Sequence, residues 1–464
     1  MTATSPESSW LQISRDERIR LGKEARETTP PAALAAWSES PDRRDPIELL
    51  VEQCAPRVPE LVPIKYGRMM SSAFAYYRGT PIVMAHDLAS RPDTRLMVQA
   101  CGDAHLMNFG LFASPERNLL FDVNDFDETH IAPWDWDVKR LAASVVVAGR
   151  DINLSQDQCR HAAHAVATSY AVRMHEFAEM RNLDIWYSKV DTHSVDEVVA
   201  RSVRPEVAES VRKELEKGIR KAQHRTNLEA MPKITELVGD RRRIINEPPL
   251  IHHLPEGDEI TAIEVFEGYR STLSTEHRAL LDRFEVVDIA RKVVGVGSVG
   301  TRCYLMLLLG DLGEDPLFLQ IKEAERSVLE VHTVPCRFET QGERVVVGQR
   351  MMQAASDVFL GWTTGPSGHH FYVRQLRDMK GSARVEHFDA PMLSLYGALC
   401  AWTLARAHAR SSGAVRIANY IGTDGEFAEA IADYAVAYAH QNQIDYERFI
   451  EAIAGGRVFA TPGF

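Results

Sequence analysis

Residues 295–324 read GVGSVGTRCYLMLLLGDLGEDPLFLQIKEA and open on the pattern G-x-G-x-x-G at Gly295, Gly297 and Gly300. Two physical designs use that pattern. In a dinucleotide fold it joins a strand to a helix, and the pyrophosphate rests on the helix N-terminus. An acidic residue about twenty positions on then holds the ribose, and Glu323 stands near enough for that role. In the other design the pattern joins two antiparallel strands over the phosphates of a nucleoside triphosphate, and a lysine further along the sheet reaches the α- and β-phosphates. The segment after Gly300 separates the two. Nine residues, Thr301–Leu309, precede the loop-forming GDLGEDP. A βαβ crossover helix needs more length than that. The segment reads as a strand through Thr301, Cys303 and Tyr304, and LFLQIKEA reads as a second strand with Lys322 at its end. The second design is therefore expected. The three glycines let the backbone approach phosphates, and Lys322 contacts them. A lysine in a strand needs a carboxylate to hold its position. Glu343, in a helix-like segment beginning near Thr340, is the first candidate, and Glu330 the second.

A second chemistry-bearing stretch lies nearly two hundred residues earlier, CGDAHLMNFGLFASPERNLLFDVNDFDETHIAPWDWDVKR from Cys101 to Arg140. Asn108 follows Asp103 by five residues, and Leu119–Glu128 reads as a buried strand that ends in carboxylates. Asp125 and Asp127 at such a strand end supply hard oxygen ligands for Mg²⁺ shared with substrate phosphates. A lone Asp with an Asn a few residues on is the layout of a phosphoryl-transfer loop, in which the Asp receives the acceptor proton and the Asn helps hold the metal. Asp137, near the start of the helix that follows, is placed to accept backbone N–H bonds and brace the loop.

Composition limits the alternatives. A formal charge of −12 argues against general nucleic-acid binding, which normally shows a basic balance. The six cysteines are dispersed with no C-x-x-C pair, so neither structural zinc nor a disulfide framework is expected, and a reducing cytosol fits. MTATSPESSW has no signal-peptide pattern, and the longest apolar runs fall far short of a membrane span, which predicts a soluble cytoplasmic protein. The chain divides into a helical extension over 1–64, a part carrying the acidic loops over 65–260, a small antiparallel-sheet unit over 261–385, and closing helices over 386–464. The fold class expected is α+β. Within it, LMVQA before Cys101 reads as a strand, Gln156 to about Asn182 as a long helix, and Ala262–Phe284 as two helices. The stretch from Val198 reads as a charged helix followed by a loop with the Arg241-Arg242-Arg243 run. Arg68 and Arg78 bracket a Met/Phe/Tyr-rich segment, where an arginine beside an acidic site can clamp a phosphate or carboxylate or else form a salt bridge.

The series GDAH…Asn108, NDFD, PWDWD resembles the H-G-D-x-H-x-x-N, I-D-[WF]-[DE] and D-P-x-x-D-L-A motifs of aminoglycoside phosphotransferases and choline-kinase-like enzymes. Cys101 stands where those enzymes usually carry His. From about Lys65 to Arg410 the chain also resembles an uncharacterised bacterial family, domain of unknown function 2252. GDAHxxNFG, NDFDE, PWxWDxKRLAAS, LQIKEA and YVRQLRDMKGS carry that likeness. The resemblance implies a two-lobed protein-kinase-like fold in permuted order, since the acidic loops precede the glycine motif. Leu404–Arg410, LARAHAR, resembles the helix that precedes the catalytic loop in kinases. It further implies an ATP- and Mg²⁺-dependent phosphotransferase acting on a hydroxyl of a small-molecule or protein acceptor. Asp103 is then the base, Asn108, Asp125 and Asp127 the metal ligands, and Gly295, Gly297, Gly300, Lys322 and Glu343 the nucleotide site. Transfer of AMP, nucleotide binding without catalysis, and an NAD-dependent enzyme are the other readings.

Overall fold

The computed structural model of the chain describes residues 13–191, 216–224, 226–254, 256–311, 315–376, 379–411 and 413–463. Helices α1 (Arg15–Thr28), α2 (Pro46–Cys54), α3 (Val62–Met69), α4 (Ala73–Gly79) and α5 (Pro81–Ala89) open the chain. Asp45 caps α2 by accepting the Ile47 N–H at 2.8 Å, with Pro46 in the first turn. There its missing N–H costs nothing. Strands β1 (Met97–Ala100), β2 (Phe109–Ala113), β3 (Leu119–Val123) and β4 (His130–Pro133) follow. β1 pairs with β4 and β2 with β3, all antiparallel.

The helices α6 (Trp134–Asp151) and α7 (Gln156–Glu179) come next, and α7 begins in a reciprocal Ser155–Gln158 capping box. α6 is buried all round from Trp134 to Gly149. That identifies it as a central helix rather than a surface one. The hairpin β5 (Thr235–Val238) and β6 (Arg241–Ile244) contains the arginine run, which is therefore strand and not the loop expected. Gly239, at φ 62°, supplies the tight turn between the strands. The earlier part of the charged stretch, 198–215, lies outside the described residues, as does the N-terminal MTATSPESSW.

The second half is built on a six-stranded antiparallel sheet in the order β11-β12-β10-β9-β8-β7. Its strands are β7 (Ile251–His253), β8 (Phe284–Lys292), β9 (Cys303–Gly310), β10 (Pro316–Glu323), β11 (Gly361–Thr364) and β12 (His370–Gln375). Two helices, α8 (Glu256–Arg270) and α9 (Thr275–Leu281), sit between β7 and β8, and α10 (Gln341–Met352) follows β10. One sheet face places Tyr304, Met306, Leu308, Leu319, Ile321, Phe371 and Val373 in a core with α8. The alternate residues Leu305, Leu307 and Phe318 enter a separate core. Two covered faces account for the near-continuous apolar run of β9. Toward the acidic loop the second face turns polar. Lys322 stands opposite Cys303 and Tyr372, and Gln320 opposite Arg374.

The short strand β13 (Gly381–Ser382) pairs with β2, so the chain leaves the six-stranded sheet for the three-stranded one. Three helices close the chain, α11 (Ala390–Arg410), α12 (Ala414–Ile421) and α13 (Glu426–Ala454). α11 packs on α7 and α6, and α13 packs on the same two helices. The architecture is thus mixed α+β with small antiparallel sheets.

At the centre of the helical body Arg406 donates to both oxygens of Asp122 on β3, at 2.6 and 2.7 Å, and to the Met352 carbonyl at 3.0 Å. Both side chains are fully buried. Removing one partner of such a pair leaves a charge without compensation. Arg406→Ala is expected to lower the unfolding free energy by about 3–5 kcal/mol, read as a shift of the urea midpoint. A shift of less than about 1 kcal/mol would show that β3 does not depend on it.

Candidate functional site

The loop after β1 is held by one stripe of α6. Asp137 accepts the backbone N–H of Cys101 at 2.6 Å and of Gly102 at 2.9 Å. One turn on, Arg140 Nε and Nη2 donate to Asp103 Oδ1 at 2.8 and 2.7 Å. One turn further, Ser144 Oγ accepts the Leu106 N–H at 3.1 Å. From α11, His408 Nε2 lies 3.1 Å from the same Asp137 carboxylate, and its Nδ1 lies 2.8 Å from the Tyr170 hydroxyl. Cys101 therefore contributes a backbone amide to this brace, and the imidazole comes from α11.

Asp103 Oδ1 is committed to Arg140, while Oδ2 stands 3.7 Å from His105 Nε2. Burial works against the Arg140 charge, but Asp103 outweighs it and raises the guanidinium pKa above the usual range. His105 Nδ1 accepts the Met107 N–H at 3.1 Å, and burial pushes its pKa down to about 3. It is a neutral loop-forming side chain at physiological pH. Asn108 Nδ2 donates to the Asp103 carbonyl at 2.6 Å, and its own carbonyl accepts the Asn124 N–H at 2.8 Å. The loop and the acidic end of β3 are thereby locked together.

Lys322 reaches this acidic end from β10. Its Nζ bonds Asp127 Oδ2 and lies 3.6 Å from Asp125 Oδ2. Tyr372 on β12 donates to Asp127 Oδ1 at 2.7 Å, and Ser298 of the glycine turn donates to Oδ2 at 3.0 Å. The Lys322 side chain is 2 % exposed, whereas Asp125 and Asp127 keep 32 % and 27 %, so the ammonium is interior and the carboxylates face a cleft. Burial opposes the ammonium, but Asp125 and Asp127 together hold its pKa above the lysine range. Burial, and then the Asp127 charge, push Asp125 up. Burial acts on Asp127 too, yet Lys322 and the Tyr372 hydrogen bond bring it below the usual carboxylate range. The two adjacent carboxylates thus have pKa values driven apart, a pattern that makes this cleft the candidate functional site.

The glycine pattern joins β8 to β9, which are antiparallel. A helix N-terminus is absent there, which removes the physical basis of the dinucleotide reading. Glu323 instead accepts the Arg302 N–H at 2.9 Å and lies 2.8 Å from His369. Gly295 and Gly300 take φ of 64° and 96°, a backbone region that only glycine enters freely. Arg57 Nη1 donates to the carbonyls of Gly297 at 2.5 Å and Val299 at 2.8 Å, Val58 N–H donates to that of Gly300 at 2.8 Å, and Arg68 donates to that of Gly295.

A cavity of about 90 Å³ lies between the two parts, walled by Asp103, Asn108, Asp125 and Asp127 on one side and by Gly295, Gly297 and Ser298 on the other. Glu343 does not complete this arrangement as expected. It sits in the first turn of α10, with its N–H capped by Thr340, and the carboxylate partners of Lys322 are Asp127 and Asp125. Glu330, the second candidate, pairs with Arg326. The α10 residue that does reach the site is Arg344. It donates to the carbonyls of Thr129 at 2.5 Å, Asp127 at 2.8 Å and Glu325 at 2.9 Å, tying the acidic loop to the end of β10.

Sequence reasoning missed Arg57, Arg140, Arg344, Tyr372 and Ser298. Only Arg140 carried a usable signal, since it lies three residues after Asp137 and so on the same helical face. Among the described residues no group of three or more His, Cys, Asp or Glu is placed to hold a metal unaided. Two carboxylates and an amide nonetheless fit Mg²⁺, which commonly takes one or two protein carboxylates and completes its shell with phosphates and water.

The model of a family described as "Uncharacterized protein conserved in bacteria (DUF2252)" matches residues 57–452. Neither the curated proteins nor the solved structures hold a match to this chain. Among the described residues no helix is long and apolar enough to cross a membrane.

The buried His105 gives a pH test. Its pKa is near 3 in the folded chain against 6.5 ordinarily. Between those values the unfolded chain binds a proton that the folded chain does not, so stability falls as pH drops through that window. In His105→Asn, where an amide oxygen can still accept the Met107 N–H, that contribution disappears. The unfolding free energy of wild type relative to the variant is expected to fall by up to about 1.4 kcal/mol per pH unit below pH 6 or so. Parallel denaturation profiles from pH 7 to 4 would show that this imidazole is protonated when folded.

Proposed function

The chain belongs to DUF2252, a family whose description names no activity, and from that premise we propose that it is an ATP- and Mg²⁺-dependent phosphotransferase acting on a hydroxyl of a small-molecule acceptor. The reading includes a protein-kinase-like fold in circularly permuted order. The observation that carries it is the meeting of the glycine turn and Lys322 with Asp103, Asn108, Asp125 and Asp127 across one cleft.

The order of parts supports it. An antiparallel glycine hairpin, a lysine on the next strand, a helix and two further strands run from β8 to β12, and a connection leads to a long buried helix, α11. The acidic loops that complete such a site come from the front of the chain. The clamping of four glycine-turn carbonyls by Arg57, Val58 and Arg68 also fits, because a bare carbonyl oxygen would repel a phosphate.

In this reading Asp103 accepts the proton of the acceptor hydroxyl through Oδ2, since Arg140 occupies Oδ1 and fixes the carboxylate plane. His105 stays neutral and shapes the loop. Lys322 contacts the α- and β-phosphates, and the glycine turn covers them. Asn108, Asp125 and Asp127 would hold Mg²⁺, which when bound neutralises phosphate charge. Ser298 rests on Asp127, so the turn must lift to admit a nucleotide into a space of about 90 Å³.

Calorimetry is expected to show saturable binding of Mg-ATP and none of NAD. Asp103→Asn should keep Mg-ATP affinity within about twofold while lowering turnover by at least about 100-fold, the low end for loss of a general base. NAD binding in place of Mg-ATP would defeat the proposal, as would normal turnover in Asp103→Asn. The product's added mass separates phosphate transfer from AMP transfer.

A further inference from the structure

Two arginines line the cavity, Arg57 and Arg78. Arg57 is engaged through both terminal nitrogens, although its Nε is buried without a partner. It holds Gly297 and Val299 carbonyls and pairs with Glu325 at 3.0 Å. Arg78, at the end of α4, is not engaged in this way. Among the described residues its guanidinium has no hydrogen bond and no ion pair, and its Nε is buried without a partner. The charges acting on it are Asp103, which attracts it, and Arg68, which repels it, and burial holds its pKa below the usual arginine range. Asp103 does not serve as its partner, because Oδ1 belongs to Arg140 and Oδ2 faces His105. A guanidinium held this way in a partly closed cleft is costly unless an anion completes it.

Its position says which half of the site that anion belongs to. Phosphates of a nucleotide would have the glycine turn and Lys322, with the Asp125–Asp127 pair facing them across the cleft. Arg78 stands on the Asp103 side. Tyr77, its neighbour in α4, stacks on Arg140, whose guanidinium centre lies 4.1 Å from the ring centroid, and Arg140 grips Asp103. The Arg78 carbonyl lies next to Gly297, at the tip of the turn. A cation there shares the cavity with Asp103, the base of the proposed reaction, and is not among the groups that reading gives to the nucleotide.

We propose that Arg78 binds an anionic group, a phosphate monoester or a carboxylate, on the acceptor, so that the substrate is a hydroxyl compound already carrying a negative charge. This rests on the phosphotransferase reading, and it narrows the acceptor to a chemical class. A planar five-donor fork suits both groups bidentately.

The test titrates inorganic phosphate by calorimetry into the full chain saturated with Mg²⁺ and a non-hydrolysable ATP analogue, whose γ-phosphate fills the donor position. Wild type is expected to bind phosphate. Arg78→Ala should bind it at least about tenfold more weakly, as loss of a charge-assisted hydrogen bond implies, with analogue affinity unchanged within about twofold on the same scale. Arg78→Lys, which keeps the charge and loses the fork, should fall between them, and it serves alone if the alanine variant fails to fold. Absence of phosphate binding by wild type overturns the inference. So does equal binding by the variants, or a loss that falls on the analogue instead, which would give Arg78 to the donor. If the analogue does not bind wild type at all, the phosphotransferase reading fails by itself. Phosphate binding without analogue that still depends on Arg78 would then leave the anion site standing.

Discussion

Lys322, with a side chain only 2 % exposed, keeps its ammonium charged through the counter-charge of two carboxylates, and that requirement organises this protein. Lys322 and Asp127 are 195 residues apart in the chain. Bringing them together joins a six-stranded sheet to the end of a strand in a separate, helix-backed sheet. The desolvation of Lys322 is offset only because two carboxylates and a tyrosine hydroxyl converge on the same point, and partial satisfaction would be worse than an apolar contact. The polar patch of Lys322, Gln320, Tyr372 and Arg374 on an otherwise apolar sheet is thus a single cooperative unit. Arg374 extends it by donating to the Asn124 carbonyl at 2.8 Å and to Gln320 at 3.1 Å.

Around that contact, arginines act mainly on backbone carbonyls. Arg57 fixes the glycine turn, and Arg344 fixes the Asp127–Thr129 bend against Glu325. Such bonds hold irregular backbone in one conformation where no sheet or helix ladder can do so. The loop at Asp103 is held by a different device, the Asp137, Arg140 and Ser144 stripe. Three side chains on successive turns of one buried helix place a backbone segment and a carboxylate together. Rigid support of this kind is what a site needs if a reacting group must stay within a fraction of an ångström of its position.

What the sequence made legible follows from how local each feature is. The strand expected over Leu119–Glu128 is present over Leu119–Val123, with Asp125 and Asp127 in the loop beyond it, and the glycine hairpin, Lys322 near a strand end and Asp137 as a brace are present as well, since all depend on neighbours within a few residues. The partner of Lys322 was not legible, because ion pairing across 195 residues leaves no spacing signal. Glu343 was the reasonable local choice, one helix turn into α10, but the adjacent Arg344 is the side chain turned inward. The arginine run at 241–243 misled for a related reason. A charge-rich stretch reads as loop, yet an exposed two-stranded hairpin tolerates charge on its solvent side. Arg57 fell in a segment that looked like a lead-in, and only the fold shows it supporting the glycine turn.

The order of the parts poses a final physical question, whether a site assembled from a late glycine hairpin and an early acidic loop carries any penalty. Folding free energy depends on which groups meet, and loop closure adds a cost that grows only slowly with separation. Among the described residues, segments near the front of the chain meet segments near its end. Arg43, ahead of α2, bonds Asp87 at 2.7 Å and Asp445 of α13 at 2.6 Å. Arg26 of α1 reaches Asp424 and Glu426 at the start of α13. Thr461, near the end of the chain, donates to the Pro63 carbonyl at 2.8 Å. The opening helices and α13 are thus joined by ion pairs that are buried at Arg43 and partly exposed at Arg26, so contacts far apart in the sequence tie the helical body together.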